Sequence, residues 1–246
     1  MLYGIISDIH GNLEAAMAVK DFLVKSGAEK ILFLGDMVGY GVNPAECIDL
    51  FDLPNIIFIK GNHEEACITG RYEGFTLDAK MAMDWTRKNL SDDYKKKLSE
   101  WKETLEIEDF ITCHGGLNDP LYFYTSSRSR AKKMFDEFSF HYCFVGHTHF
   151  PMVFVDEENK DMPSIIAEDP GGGLRVLIEE NKRYILNVGS VGQPRDGNPQ
   201  ACCCLYDSKS RLFQLFRIPY PAEIASKKIA DAGLPSSLAA RILRGL

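Results

Sequence analysis

The sequence predicts an α/β fold, because short apolar runs alternate with helical patterns along its first half. Apolar runs at residues 2–6, 31–34 and 56–59 are typical of buried strands. Apolar residues at helical spacing follow the first two runs, at residues 12–25 and 44–51. This alternation indicates βαβ units and a largely parallel sheet.

The middle of the chain and its second half differ in character. Residues 77–105 predict a helical stretch, in which Ser91 is a suitable internal N-cap. A strand, a helix and a strand are predicted next, at residues 110–113, 128–138 and 142–145. Strand-like runs joined by turns then follow at residues 152–155, 174–178, 184–188, 201–206 and 212–218.

The end of the chain, residues 221–246, predicts two short helices interrupted at residues 233–235. The glycine run at 171–173 predicts a flexible hairpin loop rather than a phosphate cradle, since no helical pattern starts after it. No internal repeat or linker is visible, so we expect one domain spanning residues 1–246.

The composition excludes some classes of protein. The 246 residues carry a net charge of −7, and an acidic surface disfavours a nuclease or another protein that binds nucleic acid. A small phosphorylated substrate is still compatible with this net charge, because bound metal ions would make the local charge positive.

No run reaches the roughly 18 apolar residues of a membrane span, and no basic segment opens a signal peptide, so we expect a cytoplasmic protein. The pattern gives no indication of the oligomeric state.

Cysteine usage points to reduced thiols. The seven cysteines are an odd number and form no CxxC pair. This disfavours both a structural zinc site and a disulfide framework. We therefore expect them to be buried as small apolar side chains.

Side chains that bind metals gather where the predicted strands end. In an open α/β sheet, ligands bind outside the carboxyl ends of the strands, so these side chains should converge on one site. Five of the six histidines fall at such ends, and His141 does not. The candidates, in chain order, are Asp8, His10, Asp36, Asn62, His63, His114, His147 and His149.

Spacing and ligand type both favour metal binding. Asp8 and His10 are two residues apart, as are His147 and His149, and in extended backbone such residues project to the same side. Nitrogen and oxygen ligands without thiolate suit Mn, Fe or Zn better than Ca. Two ions about 3.5–4 Å apart are the usual arrangement for in-line displacement at phosphorus.

These residues resemble the motifs of the calcineurin-like metallophosphoesterases, in the order of that family. The later segment, residues 187–195, looks like the loop that follows the motifs in small prokaryotic members, and residues 233–235 resemble their tail. The matching motifs are Asp8-x-His10, Gly35-Asp36, Gly61-Asn62-His63-Glu64, His114-Gly115 and Gly146-His147-Thr148-His149.

The resemblance implies a four-layer α/β/β/α sandwich, in which two mixed β-sheets pack face to face with helices outside. It implies two divalent transition-metal ions (Mn, Fe, Zn or a mixture), and a hydroxide between them that attacks phosphorus. It also implies catalytic roles, with Asp36 at the metals and His63 as the general acid. The implied ligands are Asp8, His10 and His149 for one ion, Asn62, His114 and His147 for the other, and Asp36 for both.

One segment departs from the family's protein phosphatases, which carry GDxxDRG where this chain reads GDMVGYG at residues 35–41. Gly39 stands where a carboxylate would orient the catalytic histidine, and Tyr40 stands where an arginine would hold phosphate. This disfavours a protein substrate. Glu64 is a candidate to orient His63, and an equally good interpretation is a carboxylate at a helix N-terminus.

The substrate itself is less well indicated. Asn62 and Arg195 are the candidate substrate-binding residues, and the planar fork of Arg195 suits phosphate as well as it suits a structural pairing. The aromatic run at residues 122–124 fits stacking on a nucleobase, but packing is the commoner role. We expect a phosphoesterase acting on a small ester. The alternative is a metal-binding scaffold of the same fold that binds a protein partner, which the presence of His63 disfavours.

Overall fold

The computed structural model describes residues 1–157, 160–167 and 173–246, which form twelve strands and eight helices. In chain order the first half comprises β1 (Leu2–Ile6), α1 (Leu13–Lys25), β2 (Lys30–Phe33), α2 (Pro44–Leu50), β3 (Ile56–Phe58), α3 (Asn62–Thr69), α4 (Leu77–Asn89), α5 (Asp92–Ser99), β4 (Thr104–Ile107), β5 (Phe110–Cys113) and α6 (Arg128–Glu137). The second half comprises β6 (Tyr142–Val145), β7 (Met152–Asp156), β8 (Ser164–Ile166), β9 (Leu174–Leu177), β10 (Arg183–Asn187), β11 (Ala201–Asp207), β12 (Leu212–Ile218), α7 (Ala222–Asp231) and α8 (Ser236–Arg244).

The strands form two mixed sheets of six strands each. Their orders are β3-β2-β1-β11-β12-β9 and β4-β5-β6-β10-β7-β8. Strands β1, β2 and β3 run parallel, as do β5, β6 and β10, and the other pairings are antiparallel. The prediction of two mixed sheets is confirmed. The expectation of a largely parallel sheet is wrong, because strands from the β-rich half, such as β11 beside β1, pair in the opposite direction.

The sheets pack face to face, and helices cover their outer faces. The layer between the sheets is apolar and includes Ile5, Phe144 and Phe213, all fully buried. Burying one such side chain contributes about 1.5–3 kcal/mol. Helices α1 and α2 pack on the first sheet, and α6 packs on the second. The predicted four-layer α/β/β/α sandwich is confirmed.

Long-range pairing decides the elements that local patterns mispredict. The helical stretch predicted at residues 77–105 ends earlier, because Thr104 and Leu105 belong to β4 and pair with β5. Ser91 is the N-cap of α5, although its side chain makes no capping hydrogen bond. Strand β8 and helix α3 have no counterpart among the predicted elements. The hairpin loop predicted at residues 171–173 falls mainly outside the described residues.

The seven cysteines are buried, as expected. None of the helices in the described ranges combines the length and the apolar character that crossing a membrane requires. The expectation that residues 1–246 form one domain stays a prediction.

Candidate metal centre

The candidate site lies where the carboxyl ends of parallel strands from both sheets meet. The sequence pattern suggested the edge of one open sheet, but the contributing loops come from two sheets packed against each other. The loops after β1 and β2 and the start of α3, after β3, supply Asp8, His10, Asp36, Asn62 and His63. The loops after β5 and β6 supply His114, His147 and His149.

These side chains form two buried groups that share Asp36. In each group the ligand atoms lie within 4.8 Å of one another. Asn62 joins the second group, since its Oδ1 lies 3.1 Å from Nε2 of His114. Among the described residues, both groups contain carboxylates and imidazoles but no thiolate. The first group is Asp8, His10, Asp36 and His149, and the second is Asp36, His114 and His147.

Hydrogen bonds to backbone carbonyls fix the tautomer of three imidazoles. A carbonyl only accepts, so the ring nitrogen beside it must carry the hydrogen, which leaves Nε2 as a free lone pair in the neutral ring. Nε2 of His10 and Nε2 of His149 are only 3.1 Å apart, and two lone pairs cannot bond to each other. A cation would satisfy both, so the donor set fits a metal ion. The contacts join Nδ1 of His10 to Val38 (2.9 Å), Nδ1 of His114 to Leu34 (2.7 Å) and Nδ1 of His149 to Gln193 (2.6 Å).

At neutral pH, burial and neighbouring charges keep most of these side chains in the protonation state that binds a metal ion, which is the neutral imidazole or the charged carboxylate. Burial lowers the pKa of His10, His147 and His149 well below the usual imidazole value. Burial would raise the pKa of Asp36, but the facing imidazoles, above all His114, hold it well below its usual range. Burial also lowers the pKa of His114, but Asp36 outweighs it and the net pKa is about 10. A metal ion at His114 would therefore displace a proton.

Five of the candidate ligands have left-handed backbone, which contradicts the expectation that the paired residues lie in extended chain. Each such conformation costs of order 1–3 kcal/mol in a residue with a side chain. Hydrogen bonds between the loops after β1 and β2 hold this backbone conformation. The N–H of Asp8 donates to the carbonyl of Gly35 (2.9 Å), and the N–H of His10 donates to the carbonyl of Asp36 (2.9 Å). The φ angles are 56° at Asp8, 50° at His10, 63° at Asp36, 65° at His147 and 59° at His149.

Glu64 supports the loop that carries Asp36. Its buried carboxylate accepts backbone N–H groups from Asp36 (2.7 Å), Met37 (2.8 Å), Val38 (3.2 Å) and Gly61 (2.8 Å). Burial raises the pKa of Glu64, and the N–H groups oppose that rise. The helix N-terminal interpretation of Glu64 is therefore confirmed. Its carboxylate faces this loop and makes no described hydrogen bond to the His63 ring.

The Glu64→Gln variant tests this support. An amide would turn an N–H₂ group toward backbone donors, so we expect the free energy of unfolding to fall by about 2–4 kcal/mol. Glu65→Gln is the matched control, because Glu65 is half-buried and pairs with Lys60, and it should cost less than about 1 kcal/mol. Urea unfolding in chelator measures both. An equal loss in the two variants would contradict the assignment.

His63 is oriented by aromatic packing and by Asp36. Its backbone N–H donates to Oδ1 of Asp36 (2.9 Å), and its ring lies 4.8 Å from that of Tyr40 and 4.5 Å from that of Phe75. A Cβ added at Gly39, where φ is 85°, would lie 2.2 Å from Nδ1 of His63. The ring therefore occupies the space that a side chain at position 39 would need. This accounts for glycine where related phosphatases carry aspartate.

A cleft of about 560 Å³, open to solvent, adjoins His63. Nη2 of Arg195 donates to Oε1 of Gln193 (2.9 Å) and to the hydroxyl of Tyr40 (3.4 Å). Of the aromatic run at residues 122–124, only Tyr124 lines this cleft, with its ring centroid 3.8 Å from that of His147. The lining of the cleft also includes Asn62, Gly74, Phe75, Thr76, Ala79, Arg241 and Leu246.

Some of these residues escaped the sequence analysis. Phe75 and Arg241 belong to none of the matched motifs, and neither stands at a strand end. The carbonyl groups that orient the histidines carry no sequence signal, because every residue has one. The sequence analysis did single out other residues that line the cleft, namely Tyr40, Asn62, His63, Tyr124 and Arg195.

Known proteins are similar to this chain in sequence and fold. A model of the calcineurin-like phosphoesterase superfamily domain matches residues 1–211. An uncharacterized protein from Methanocaldococcus jannaschii is 32% identical over 249 residues, covering 99% of this chain and 98% of that protein. A metallophosphoesterase from Sphaerobacter thermophilus is 33% identical, with a TM-score of 0.86 over 100% of this chain and 99% of that chain.

A hypothetical protein from Pyrococcus horikoshii shares the fold at lower identity. It is 16% identical, with a TM-score of 0.79, and the match covers 100% of this chain and 98% of that chain. The family model covers most of the chain, and the buried Asp and His groups provide the metal-binding chemistry of such enzymes. The chain belongs to the calcineurin-like phosphoesterase superfamily and is a metal-dependent hydrolase of phosphate ester bonds.

Proposed function

We propose that the protein hydrolyses a small phosphate ester with two divalent transition-metal ions, Mn, Fe, Zn or a mixture. The single observation that carries this proposal is the pair of buried ligand groups that share Asp36. When bound, the ions would supply Lewis acidity, lowering the pKa of water and neutralising charge on the phosphoryl group. The proposed ligands are Asp8, His10 and His149 on one side, Asn62, His114 and His147 on the other, and Asp36 between them.

His63 is the proposed general acid. Its Nε2 lies 4.0 Å from Oδ2 of Asp36, at the border between the ligand groups and the cleft. Burial lowers the pKa of His63 to about 4, which favours the neutral ring. A phosphoryl group is an anion, and its approach would raise this pKa and so favour the protonated ring. The protonated ring would then donate to the leaving oxygen.

Arg195 and Asn62 are the proposed substrate-binding residues. Tyr40 stands where the family's protein phosphatases carry arginine, and the guanidinium of Arg195 lies 5.7 Å from the centre of the Tyr40 ring. We infer that Arg195 supplies the positive charge from a different loop. The departures at Gly39 and Tyr40 from the protein-phosphatase motif favour a small ester over a protein.

The experiment is a substrate and metal screen. Metal-free protein should regain hydrolysis of 4-nitrophenyl phosphate or bis(4-nitrophenyl) phosphate when Mn²⁺ is restored, and calorimetry should give two ions per chain. Absence of hydrolysis of both esters with Mn, Fe, Zn, Co and Ni would contradict the proposed activity. Metal binding without hydrolysis would favour the scaffold alternative.

A further inference from the structure

A second arginine enters the cleft from a different part of the chain. Arg241 lies on α8 and lines the same cleft as Arg195. The chain has a net charge of −7, yet no aspartate or glutamate side chain is among the described residues that line this cleft. Among the described residues, the side chains with a permanent charge that line this cleft are therefore both arginines, which favours an anionic ligand.

The structure holds Arg241 in place by packing its helix. Leu238, Ala239 and Ile242 are buried against neighbouring helices. At the end of α8, the carbonyl of Gly245 accepts the N–H of Gly197 at 2.8 Å, which ties the helix to the loop that follows Arg195. The two arginines are thus anchored by connected elements of the fold.

The guanidinium of Arg241 is not used by the protein itself. Within the described part of the chain it makes no hydrogen bond and no ion pair, although it is half-buried. Arg195, in contrast, is bonded to Gln193 and Tyr40. A partly desolvated cation without a partner is unfavourable, and an anion from a ligand would compensate it.

Both arginines act electrostatically on side chains around the cleft. Burial lowers the pKa of His63 and His149, and the charge of Arg195 lowers both further. Burial raises the pKa of Tyr40, while Arg195 and, more weakly, Arg241 lower it. Arg195 is also connected to the metal-binding side chains through Gln193, whose carbonyl contacts Nδ1 of His149 at 2.6 Å, whereas Arg241 lines the same cleft from α8.

We propose that Arg241 binds a second anionic group of the substrate, so that the enzyme prefers small phosphoesters that carry another phosphate over simple monophosphates. The scissile phosphoryl group would lie at the metal centre and Arg195, and the second phosphate would form charge-assisted hydrogen bonds with the planar fork of Arg241. This inference rests on the proposed phosphoesterase function, and it adds the substrate class.

The test compares two non-hydrolysable ligands, propane-1,3-bisphosphonate and propylphosphonate, by calorimetry on Mn²⁺-loaded protein in buffer without free metal. We expect the unaltered protein to bind the bisphosphonate about tenfold or more tightly than the monophosphonate. Arg241→Gln should abolish that preference and change the Kd of propylphosphonate by less than about twofold. Arg241→Lys should retain part of the preference, because it keeps the charge and loses the fork.

Arg244→Gln is the matched control, since Arg244 is exposed on the same helix and outside the cleft. It should bind both ligands as the unaltered protein does. Three results would overturn the inference: no preference in the unaltered protein, an equal weakening of both ligands by Arg241→Gln, or the same loss in Arg244→Gln. Thermal unfolding of each variant separates a folding defect from a binding defect.

Failure of this inference is distinguishable from failure of the proposed function. Hydrolysis of 4-nitrophenyl phosphate without a bisphosphonate preference would overturn the role of Arg241 alone. A bisphosphonate preference that depends on Arg241, in a protein without esterase activity, would overturn the proposed reaction alone.

Discussion

The Asp36→Asn enzyme should lose kcat/KM about a thousandfold or more. Asp36 is the one residue common to both ligand groups, and its Oδ2 lies 3.3 Å from Nε2 of His114 and 3.7 Å from Nε2 of His10. A neutral amide of the same size keeps the shape of the site and removes the charge that two cations would share. Losing several kcal/mol of charge stabilisation has this effect, since each 1.4 kcal/mol corresponds to about tenfold.

Metal binding gives a readout of this variant that is independent of activity. In the parent protein we expect added Mn²⁺ to raise the Tm, because an ion that binds only the folded state stabilises it. That rise should shrink strongly in Asp36→Asn, and calorimetry should show weaker binding at both positions. Asp21→Asn is the control, because the Asp21 side chain is 77% exposed on α1. Unchanged metal binding in Asp36→Asn would exclude the bridging role.

The second large effect is expected for His63→Ala. Removing a general acid reduces kcat by about 10²–10⁴-fold, while metal content should stay unchanged, because His63 belongs to neither ligand group. The loss should depend on the leaving group. An alkyl phosphate needs its leaving oxygen protonated and should show the full loss, whereas 4-nitrophenolate leaves as the anion and should show a much smaller one.

His141→Ala is the matched control for this variant. His141 lies outside the site, where Nε2 contacts the carbonyl of Glu179 at 3.0 Å, so its replacement should leave kcat unaltered. Equal losses of His63→Ala on both esters would mean that His63 positions the substrate rather than protonating it. Loss of bound metal would show that His63 is a ligand.

Much of the fold could be predicted because local patterns and long-range packing agree. The apolar run at residues 2–6 and the helix pattern that follows it correspond to β1 and α1, with Asn12 as the N-cap. Prediction and structure disagree where pairing with a strand distant in sequence decides the local conformation. Thr104 and Leu105 continue a helical pattern, but they form a strand because β5 offers them an edge to pair with.

The sequence by itself determined the class of this protein and its candidate ligands, because a motif fixes residue type and spacing. Tertiary structure alone decided how those residues meet. Asp8 and His10 reach the same site from left-handed backbone rather than from extended chain, because hydrogen bonds join the loops after β1 and β2. Tertiary structure also decided that Arg241, which belongs to no motif, lies in the cleft beside His63, because α8 packs there and packing depends on the whole chain.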